Sequence, residues 1–187
     1  MTKIQKAFMK AYELHKPQFR KGGTGIPYFV HILDAAKYLM YETNDEDIIC
    51  AGILHDTLED TPYTAEELLA DFGSKVHDLV VFATEEGNTF EATDEEQKNS
   101  WKSRKQHSIS CLDNASREEA LVFLADKTSN LLSIKEDLDF GKDVWTIFRA
   151  PKEEIRWYYE SIRDKARNQL GDTRLFKVYE SLFSVFE

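Results

Sequence analysis

The chain has 187 residues, with 24 Lys or Arg against 34 Asp or Glu, and its net charge is −10. This size suits one domain, which we expect to span residues 1–187. The negative charge disfavours nucleic acid as a partner, because the field of the protein repels a polyanion. No apolar run approaches the roughly 20 residues of a membrane helix, and the N-terminus lacks the apolar stretch of a signal peptide. We therefore expect a cytoplasmic protein with no membrane partner, and its two separated cysteines, Cys50 and Cys111, are expected to be reduced.

Two helices separated by a glycine loop are predicted at the start of the chain. The first carries apolar residues at helical spacing from Ile4 and ends before Pro17. The loop 22–25 follows, and Pro27 suits the first turn of a second helix from Tyr28 to about Tyr41. The residues of this second helix that we expect to face the core are Ile32, Leu33, Ala36 and Leu39.

Helices are predicted through the rest of the chain as well. One begins at an Asn44 or Asp45 cap and runs to about residue 60, because Pro62 disfavours continuation. Thr64 and Glu67 have the spacing of a capping box, which predicts a short helix ending at residue 72. The acidic segment 85–98 is the best candidate for a mobile loop. The other predicted helices span residues 74–84, 100–112, 116–137, 144–148, 152–170 and 172–186. Because Val, Ile and Thr never alternate convincingly, no strand is predicted and the fold class is all-α.

Two histidines and two aspartates stand in or directly after apolar runs. His31 lies between Val30 and Ile32, the pair His55-Asp56 follows residues 51–54, and Asp126 follows residues 121–125. A core histidine or a structural ion pair would explain any one of them. A buried Asp is costly unless it is paired or binds a metal, however, and here two such carboxylates are matched by two imidazoles. The sequence therefore predicts a metal site, and mixed nitrogen and oxygen ligands favour Mn, Fe, Ni, Co or Zn over Mg, with Mn²⁺ as our prediction.

Two further carboxylates, Glu59 and Asp60, follow the His55-Asp56 pair on the same predicted helix. A helical spacing would stack Glu59 over His55 and Asp60 over Asp56, where the helix dipole disfavours negative charge. A bound cation would relieve this crowding. The two carboxylates are then candidates for activating a water molecule or protonating a leaving group. An acidic, solvated end of a helix is the alternative.

Several short motifs occur together along the chain. They are Arg20-Lys21, Pro27-Tyr28, His31, the run HDTLEDT from His55 to Thr61, the run LADK from Leu124 to Lys127, and Asn130-Leu131. In this order they resemble the HD-domain hydrolase module of the RelA/SpoT type, and most closely the stand-alone small alarmone hydrolases. The resemblance implies hydrolysis of the 3′-diphosphate of guanosine tetra- or pentaphosphate to pyrophosphate and GDP or GTP, with Mn²⁺. Since no synthetase module follows, we expect any activity to be degradative only.

The resemblance also implies a role for individual residues. His31, His55, Asp56 and Asp126 would bind the metal, while Glu59 and Asp60 would activate water. The implied contacts to the nucleotide substrate are Arg20, Lys21, Lys102, Arg104, Lys105, Asn130 and Tyr158. The chain departs from the family where Leu132-Ser133 replaces an Arg that often follows the Asn-Leu pair, and Trp157 or Tyr159 could take the place of Tyr158.

Two other functions are compatible with these motifs. One is an HD phosphohydrolase acting on another nucleotide. Arg20, Lys21 and Asn130 argue against a nucleoside monophosphate or a cyclic nucleotide, whereas an adenosine alarmone stays compatible with the motifs. The other is a non-catalytic nucleotide sensor, which would be expected to lack a ligand or the Glu59-Asp60 pair. The glycine loop lacks the Lys-Ser/Thr of a P-loop and does not follow a strand, so phosphate binding by that route is rejected.

Overall fold

Helices form nearly all of the regular structure in the computed structural model, which describes residues 1–23, 25–87 and 93–187. The α-helices are α1 (Lys3–His15), α2 (Phe29–Glu42), α3 (Glu46–Leu54), α4 (Thr57–Asp60), α5 (Ala65–Phe72), α6 (Ser74–Ala83), α7 (Asp94–Asn99), α8 (Trp101–Cys111), α9 (Arg117–Asp139), α10 (Lys152–Leu170) and α11 (Arg174–Ser181). Two 3₁₀ helices span Val144–Ile147 and Leu182–Phe186. Within the described ranges no strand forms, and a single bridge pairs Phe19 with Pro27. The all-α prediction is confirmed.

Local sequence signals account for most of the helix boundaries. The predicted capping box at α5 is present, since the Thr64 hydroxyl accepts from the Glu67 N–H and the Glu67 carboxylate accepts from the Thr64 N–H. The same reciprocal arrangement opens α1, α7 and α9. Each box satisfies two N–H groups that the first turn of a helix leaves without partners.

The predicted helix from residue 45 to residue 60 is interrupted. α3 ends at Leu54 and α4 begins at Thr57, so His55 and Asp56 occupy a turn between two helices. Two side chains bind carbonyl oxygens of the last turn of α3: His55 Nδ1 lies 2.8 Å from Gly52 O, and the Thr57 hydroxyl donates to Leu54 O at 2.7 Å. Such side-chain contacts compete with the backbone ladder of a helix. The expected stacking of Glu59 over His55 on one continuous helix is therefore wrong.

Two other predictions of local structure are corrected. The segment 85–98 is not a loop throughout, because Thr93 caps a helix that starts at Asp94; residues 88–92 of that prediction lie outside the described part of the chain. Leu33 was expected to face the core but is 44% exposed. Ile32, Ala36 and Leu39 from the same helix are buried as predicted.

The long helix α9 lies at the centre of the packing. It contacts α2, α3, α6, α10 and α11, and residues 120–126 of its first half are all buried. α2 and α3 also pack closely on each other: a Cβ atom built on Gly52 would lie 2.1 Å from Leu39 Cδ1. The mutual contacts of α2, α3 and α9 bring the middle of α2, the end of α3 and the middle of α9 together. None of the described helices is both long and apolar enough to cross a membrane.

Candidate metal centre and cavity

Four side chains from three parts of the fold converge, and we call them the His/Asp cluster: His31, His55, Asp56 and Asp126. His31 Nε2 lies 3.0 Å from His55 Nε2, 3.3 Å from Asp56 Oδ2 and 3.2 Å from Asp126 Oδ1. His55 Nε2 lies 2.9 Å from Asp56 Oδ2 and 3.5 Å from Asp126 Oδ1. Ligand atoms at right angles around an ion, with bonds of roughly 2.1 Å, are separated by roughly 3 Å. The spacing of the cluster therefore fits a shared cation.

The hydrogen bonds behind the two imidazoles decide which nitrogen carries the proton. His55 Nδ1 faces the Gly52 carbonyl, which only accepts, so Nδ1 is the protonated nitrogen. His31 Nδ1 lies 2.8 Å from Ser129 Oγ, and the Ser129 hydroxyl in turn donates to the His31 carbonyl. In the neutral imidazoles the lone pair therefore lies on Nε2 and points into the cluster, as in metal-binding histidines.

The electrostatics of the His/Asp cluster favour a positive charge at its centre. Burial alone would lower the pKa of His55, but Asp56 and Asp126 hold that pKa well above its usual value. Burial alone would raise the pKa of Asp126, but Lys127 and the two histidines hold it well below its usual value. A divalent cation would satisfy the same carboxylates while leaving the imidazoles neutral, so the donor set suits one.

Neighbouring side chains orient the two aspartates. The Tyr28 hydroxyl donates to Asp56 Oδ2 at 2.5 Å. Asn130 Nδ2 donates to Asp126 Oδ1 at 2.6 Å, and Arg20 donates to Asn130 Oδ1 at 3.0 Å. Lys127 forms a short ion pair with the other oxygen of Asp126. Outer contacts of this kind hold ligand groups in place and tune their basicity.

Glu59 and Asp60, which we call the carboxylate pair, lie on α4 beside the His/Asp cluster. Burial raises the pKa of Glu59 to about 8, and the negative charge of Asp56 adds to the shift. The same two causes raise the pKa of Asp60 to about 6. Glu59 Oε1 accepts a hydrogen bond of 2.5 Å from the Glu85 N–H. Carboxyl groups with pKa values this near neutrality are suited to proton transfer.

A cavity of about 520 Å³ opens over the cluster and the carboxylate pair. Its wall carries both cationic and aromatic side chains. The cationic ones are Arg20, Lys21, Arg104, Lys105, Lys127 and Arg149. The aromatic ones are Tyr28, Trp101, Phe148, Tyr158 and Tyr159. Its volume lies within the range of small-molecule sites, and its composition suits an anion that carries a ring.

The structure brings most of the predicted substrate contacts to this cavity. Those that line it are Arg20, Lys21, Arg104, Lys105, Asn130 and Tyr158. Lys102 does not line it: its ammonium lies 3.1 Å from Glu154 and 3.6 Å from the centre of the Trp157 ring. Lys102 lies one helical turn before Lys105 on α8, and Glu154 and Trp157 hold its ammonium away from the cavity.

Several residues at the site were not singled out by the sequence, and three of them are polar or charged groups close to its chemistry. Glu85, Ser129 and Arg149 contact or line it. Glu85 and Arg149 belong to no motif, and neither is distinguishable by sequence from the many other charged residues of the chain. Ser129 lies three residues after Asp126, so a helical spacing could have placed it on the same face.

Comparison with known proteins identifies related chains. Residues 7–149 match the family described as HD domain. A zebrafish (Danio rerio) protein, guanosine-3′,5′-bis(diphosphate) 3′-pyrophosphohydrolase MESH1, is 32% identical over 82% of this chain and 78% of its own length. An Aquifex aeolicus protein named guanosine-3′,5′-bis(diphosphate) 3′-pyrophosphohydrolase is 36% identical over 81% of this chain, but the match spans only 19% of that relative. The chain thus spans about a fifth of such longer bacterial relatives.

The fold is also similar to a solved structure. It is that of a metazoan ortholog of SpoT that hydrolyses ppGpp, which superposes with a TM-score of 0.75 and 25% sequence identity. The superposition covers 98% of this chain and 95% of the other. The likeness therefore extends over the whole helical arrangement, including the elements that carry the His/Asp cluster.

Proposed function

The chain belongs to the HD-domain family, and we propose that it hydrolyses the 3′-diphosphate of guanosine tetra- or pentaphosphate to release pyrophosphate and GDP or GTP. The observation that carries the proposal is the convergence of the His/Asp cluster and the carboxylate pair at one wall of a cavity whose lining also holds six cationic side chains. Relatives of similar length are named for this activity, and the structural neighbour is described as hydrolysing ppGpp.

We propose Mn²⁺ as the ion held by His31, His55, Asp56 and Asp126. Two imidazole nitrogens and two carboxylate oxygens form a donor set that suits a transition metal better than Mg²⁺. When bound, the ion supplies positive charge that polarises a phosphoryl oxygen and makes a nearby water more acidic. Hydrogen bonds would hold all four ligands in orientation. Tyr28 and Asn130 bind the two aspartates, and Ser129 Oγ and the Gly52 carbonyl bind Nδ1 of the two histidines.

The carboxylate pair would manage the protons of the reaction. A water oxygen bonds to the phosphorus next to the ribose, the bond from that phosphorus to the 3′ oxygen breaks, and the 3′ oxygen gains a proton. Glu59 would accept the proton of the attacking water, a role supported by its position beside Asp56 and by the Glu85 N–H that orients its carboxylate. Asp60, on the same turn, is the second group available to exchange a proton.

The cavity wall supplies the contacts that a nucleotide bearing two diphosphates requires. Arg20 and Lys21 would neutralise phosphate charge, and Asn130 stands between Arg20 and Asp126, where the ribose would meet the cluster. Tyr158 lines the cavity and would contact the nucleoside, while its buried hydroxyl forms no hydrogen bond with any described residue. Lys102 is not carried into this proposal, because Glu154 and Trp157 hold it outside the cavity.

The proposal is tested by product analysis with the Mn²⁺-loaded protein. The substrates are guanosine 3′,5′-bis(diphosphate), its adenosine counterpart, nucleoside monophosphates and cyclic nucleotides, with products separated by ion-exchange chromatography. We expect equal amounts of GDP and pyrophosphate from the guanosine compound. Turnover of the adenosine compound or of the other nucleotides alone would assign the site to a different HD phosphohydrolase. Absence of turnover with every compound would refute the proposal.

A further inference from the structure

Glu85 links three elements around the cavity. It follows the end of α6, it is 7% exposed, and it lines the cavity. Its backbone N–H donates to Glu59 Oε1 on α4 at 2.5 Å. Its carboxylate makes short ion pairs with Arg104 and Lys105 of α8, one on each oxygen. The main chain of this residue therefore holds Glu59 while its side chain is anchored to another helix.

We propose that Glu85 is a positioning residue for Glu59, with Arg104 and Lys105 as its anchors. The proposal rests on the proposed function, in which Glu59 takes the proton of the attacking water. Glu85 acts through the Glu59 carboxylate and does not itself touch the reacting atoms.

The two ion pairs account for the orientation of Glu85. Because Arg104 binds Oε1 and Lys105 binds Oε2, the carboxylate cannot rotate without losing a charged partner. Arg104 is itself fixed, since it donates to Gln97 O at 3.0 Å and to Ser100 Oγ at 3.1 Å. Breaking a buried pair leaves an uncompensated charge, so the arrangement is held firmly. The N–H of residue 85 is thereby kept pointing at Glu59.

The same contacts change the expected role of the two cations. Arg104 and Lys105 are only 8% and 18% exposed at their side chains, and Glu85 already neutralises part of their charge. Their main task is then to hold Glu85, and phosphate binding falls to other cations of the wall. Loss of Glu85 should accordingly affect the rate of the bound complex rather than the binding of substrate.

The first test is the steady-state kinetics of Glu85→Gln. The substitution keeps an acceptor for Arg104 but places an amide against Lys105, so the anchor is lost at nearly unchanged volume. We expect kcat to fall about tenfold or more, with KM and Mn²⁺ affinity changed less than twofold. Glu86→Gln is the matched control, because the adjacent Glu86 side chain is 82% exposed and, among the described residues, forms an ion pair with His107. An unchanged kcat, or a lower KM with unchanged kcat, would overturn the proposal.

The second test asks whether Glu85 acts through Glu59. Single-turnover rates are measured for Glu85→Gln, Glu59→Gln and the double variant. If the role of Glu85 is to orient Glu59, adding Glu85→Gln to Glu59→Gln should slow the reaction less than twofold further. If the rate of the double variant falls by the product of the two single losses, Glu85 acts independently of Glu59, and the proposal is contradicted. Should Glu85→Gln fold poorly, Glu85→Gln with Lys105→Met removes the ion pair as a unit and is compared in the same way.

A third measurement does not depend on activity. Amide hydrogen exchange at position 85, followed by NMR on the metal-free protein, should be slow in the native chain. We expect it to quicken at least tenfold in both Glu59→Ala and Glu85→Gln. If the native protein hydrolyses no nucleotide, the proposed function is wrong. The amide exchange at position 85 then still tests whether the Glu85 side chain positions the Glu85 N–H. If the exchange is unchanged in Glu85→Gln, the side chain does not position its own N–H and the inference is wrong.

Discussion

At the scale of single residues, the site combines buried ionisable groups, each of which would destabilise the fold if it were buried without the others. The His/Asp cluster buries two carboxylates next to two imidazoles whose lone pairs converge, and only a positive charge at the centre relieves this arrangement. The carboxylate pair lies half-buried beside it, and burial raises the pKa values of both carboxyl groups. The His/Asp cluster is therefore suited to bind the ion. The carboxylate pair, whose pKa values are raised, is suited to transfer protons.

Glu59→Gln should separate these two tasks. The amide keeps the shape of the side chain but cannot take a proton, so kcat should fall roughly 10²- to 10⁴-fold. Mn²⁺ affinity, measured by isothermal titration calorimetry, should stay within a few-fold of the native value. Glu153→Gln, at an exposed position on α10, is the control. Hydrolysis at the native rate by Glu59→Gln would rule out its proton-handling role.

Asp126→Asn should act on the metal instead. Removing the carboxylate charge takes a donor from the cluster and weakens the ion pair of Lys127. We expect Mn²⁺ affinity to fall by more than the roughly 100-fold that loss of an outer-shell partner costs, and hydrolysis to disappear with it. Asp139→Asn is the control, because that side chain is 62% exposed and pairs with Lys135. Native metal content in Asp126→Asn would show that Asp126 is not a ligand.

At the scale of the helices, the close approach of α2 and α3 brings His31 to His55. Gly52 makes this approach feasible, since any Cβ there would overlap Leu39, and its carbonyl also orients His55. The turn at residues 55–56 then aims both of its side chains at α2 and α9.

Gly52→Ala is the test of this approach. Overpacking of a buried helix contact costs about 1–3 kcal/mol, and the same displacement should weaken Mn²⁺ binding by separating the histidines. Combining the change with Leu39→Ala should cost less than the sum of the two single variants, because the smaller side chain makes room for the new methyl group. Urea unfolding measures all three variants. Strict additivity would show that the two residues do not limit the helix spacing.

Another contact between helices predicts a pH dependence of stability. Asp71 of α5 accepts hydrogen bonds from Tyr63 and from Lys6 of α1, and Lys10 of α1 pairs with it. Lys10, then Tyr63 and Lys6, hold the pKa of Asp71 well below its usual value. A depressed pKa contributes stability above the unfolded value near about 4, and the contribution is lost as pH falls through the folded pKa.

Asp71→Asn should therefore lower the free energy of unfolding by about 1 kcal/mol at pH 7, a modest figure because the group is partly exposed. The difference between the native chain and the variant should shrink below about pH 4, where the unfolded carboxyl becomes protonated while the folded one still resists protonation. Urea unfolding at pH 7, 5 and 3 provides the measurement. Asp164→Asn, at a side chain that is 66% exposed, serves for comparison. A difference that grows toward low pH would contradict the assigned role of Asp71.

At the scale of the whole molecule, α9 connects the site to the rest of the core. One face of it carries Asp126, Ser129 and Asn130 to the site, while its other faces pack against α6, α10 and α11. A cation held between α2, the 55–56 turn and α9 would cross-link three segments that are far apart in sequence. Binding of the ion should therefore stabilise the fold as a whole.

This linkage predicts a thermal shift. Mn²⁺ at 100 times its Kd should add about 2.7 kcal/mol to the free energy of unfolding, which raises Tm by several degrees for a chain of this size. Differential scanning fluorimetry with and without a chelator measures the shift. Asp126→Asn should show little or none of it. A Tm of the native chain that is indifferent to Mn²⁺ would argue against a metal between these segments.

Much of the fold and of the candidate site could be predicted from local patterns. Helical spacing predicted the helix 152–170 at its observed bounds, and the Thr64–Glu67 pair predicted the start of α5. The apolar runs before Asp56 and Asp126 marked both as unusual, and the structure brings them within reach of one ion. Each of these signals lies within a few residues of the feature it predicts.

Contacts between distant residues could not be obtained in this way. Nothing near Glu85 marks it as different from its exposed neighbour Glu86, and its burial follows only from the packing of α6 against the rest of the fold and from two cations on α8. Lys102 and Lys105 look equivalent by sequence, yet Lys102 binds Glu154 of α10 whereas Lys105 binds Glu85 at the cavity. The break at residues 55–56 likewise needed the positions of the side chains that compete for carbonyl oxygens.

The sequence by itself determined the helical class, most helix limits and the chemical identity of the groups at the site, because periodicity, caps and burial of polar residues act over short stretches of chain. Only the tertiary structure decided which charged groups face each other. Ion pairs and shared ligand positions depend on distances of a few ångströms between segments, and those distances arise when α2, α3 and α9 pack together.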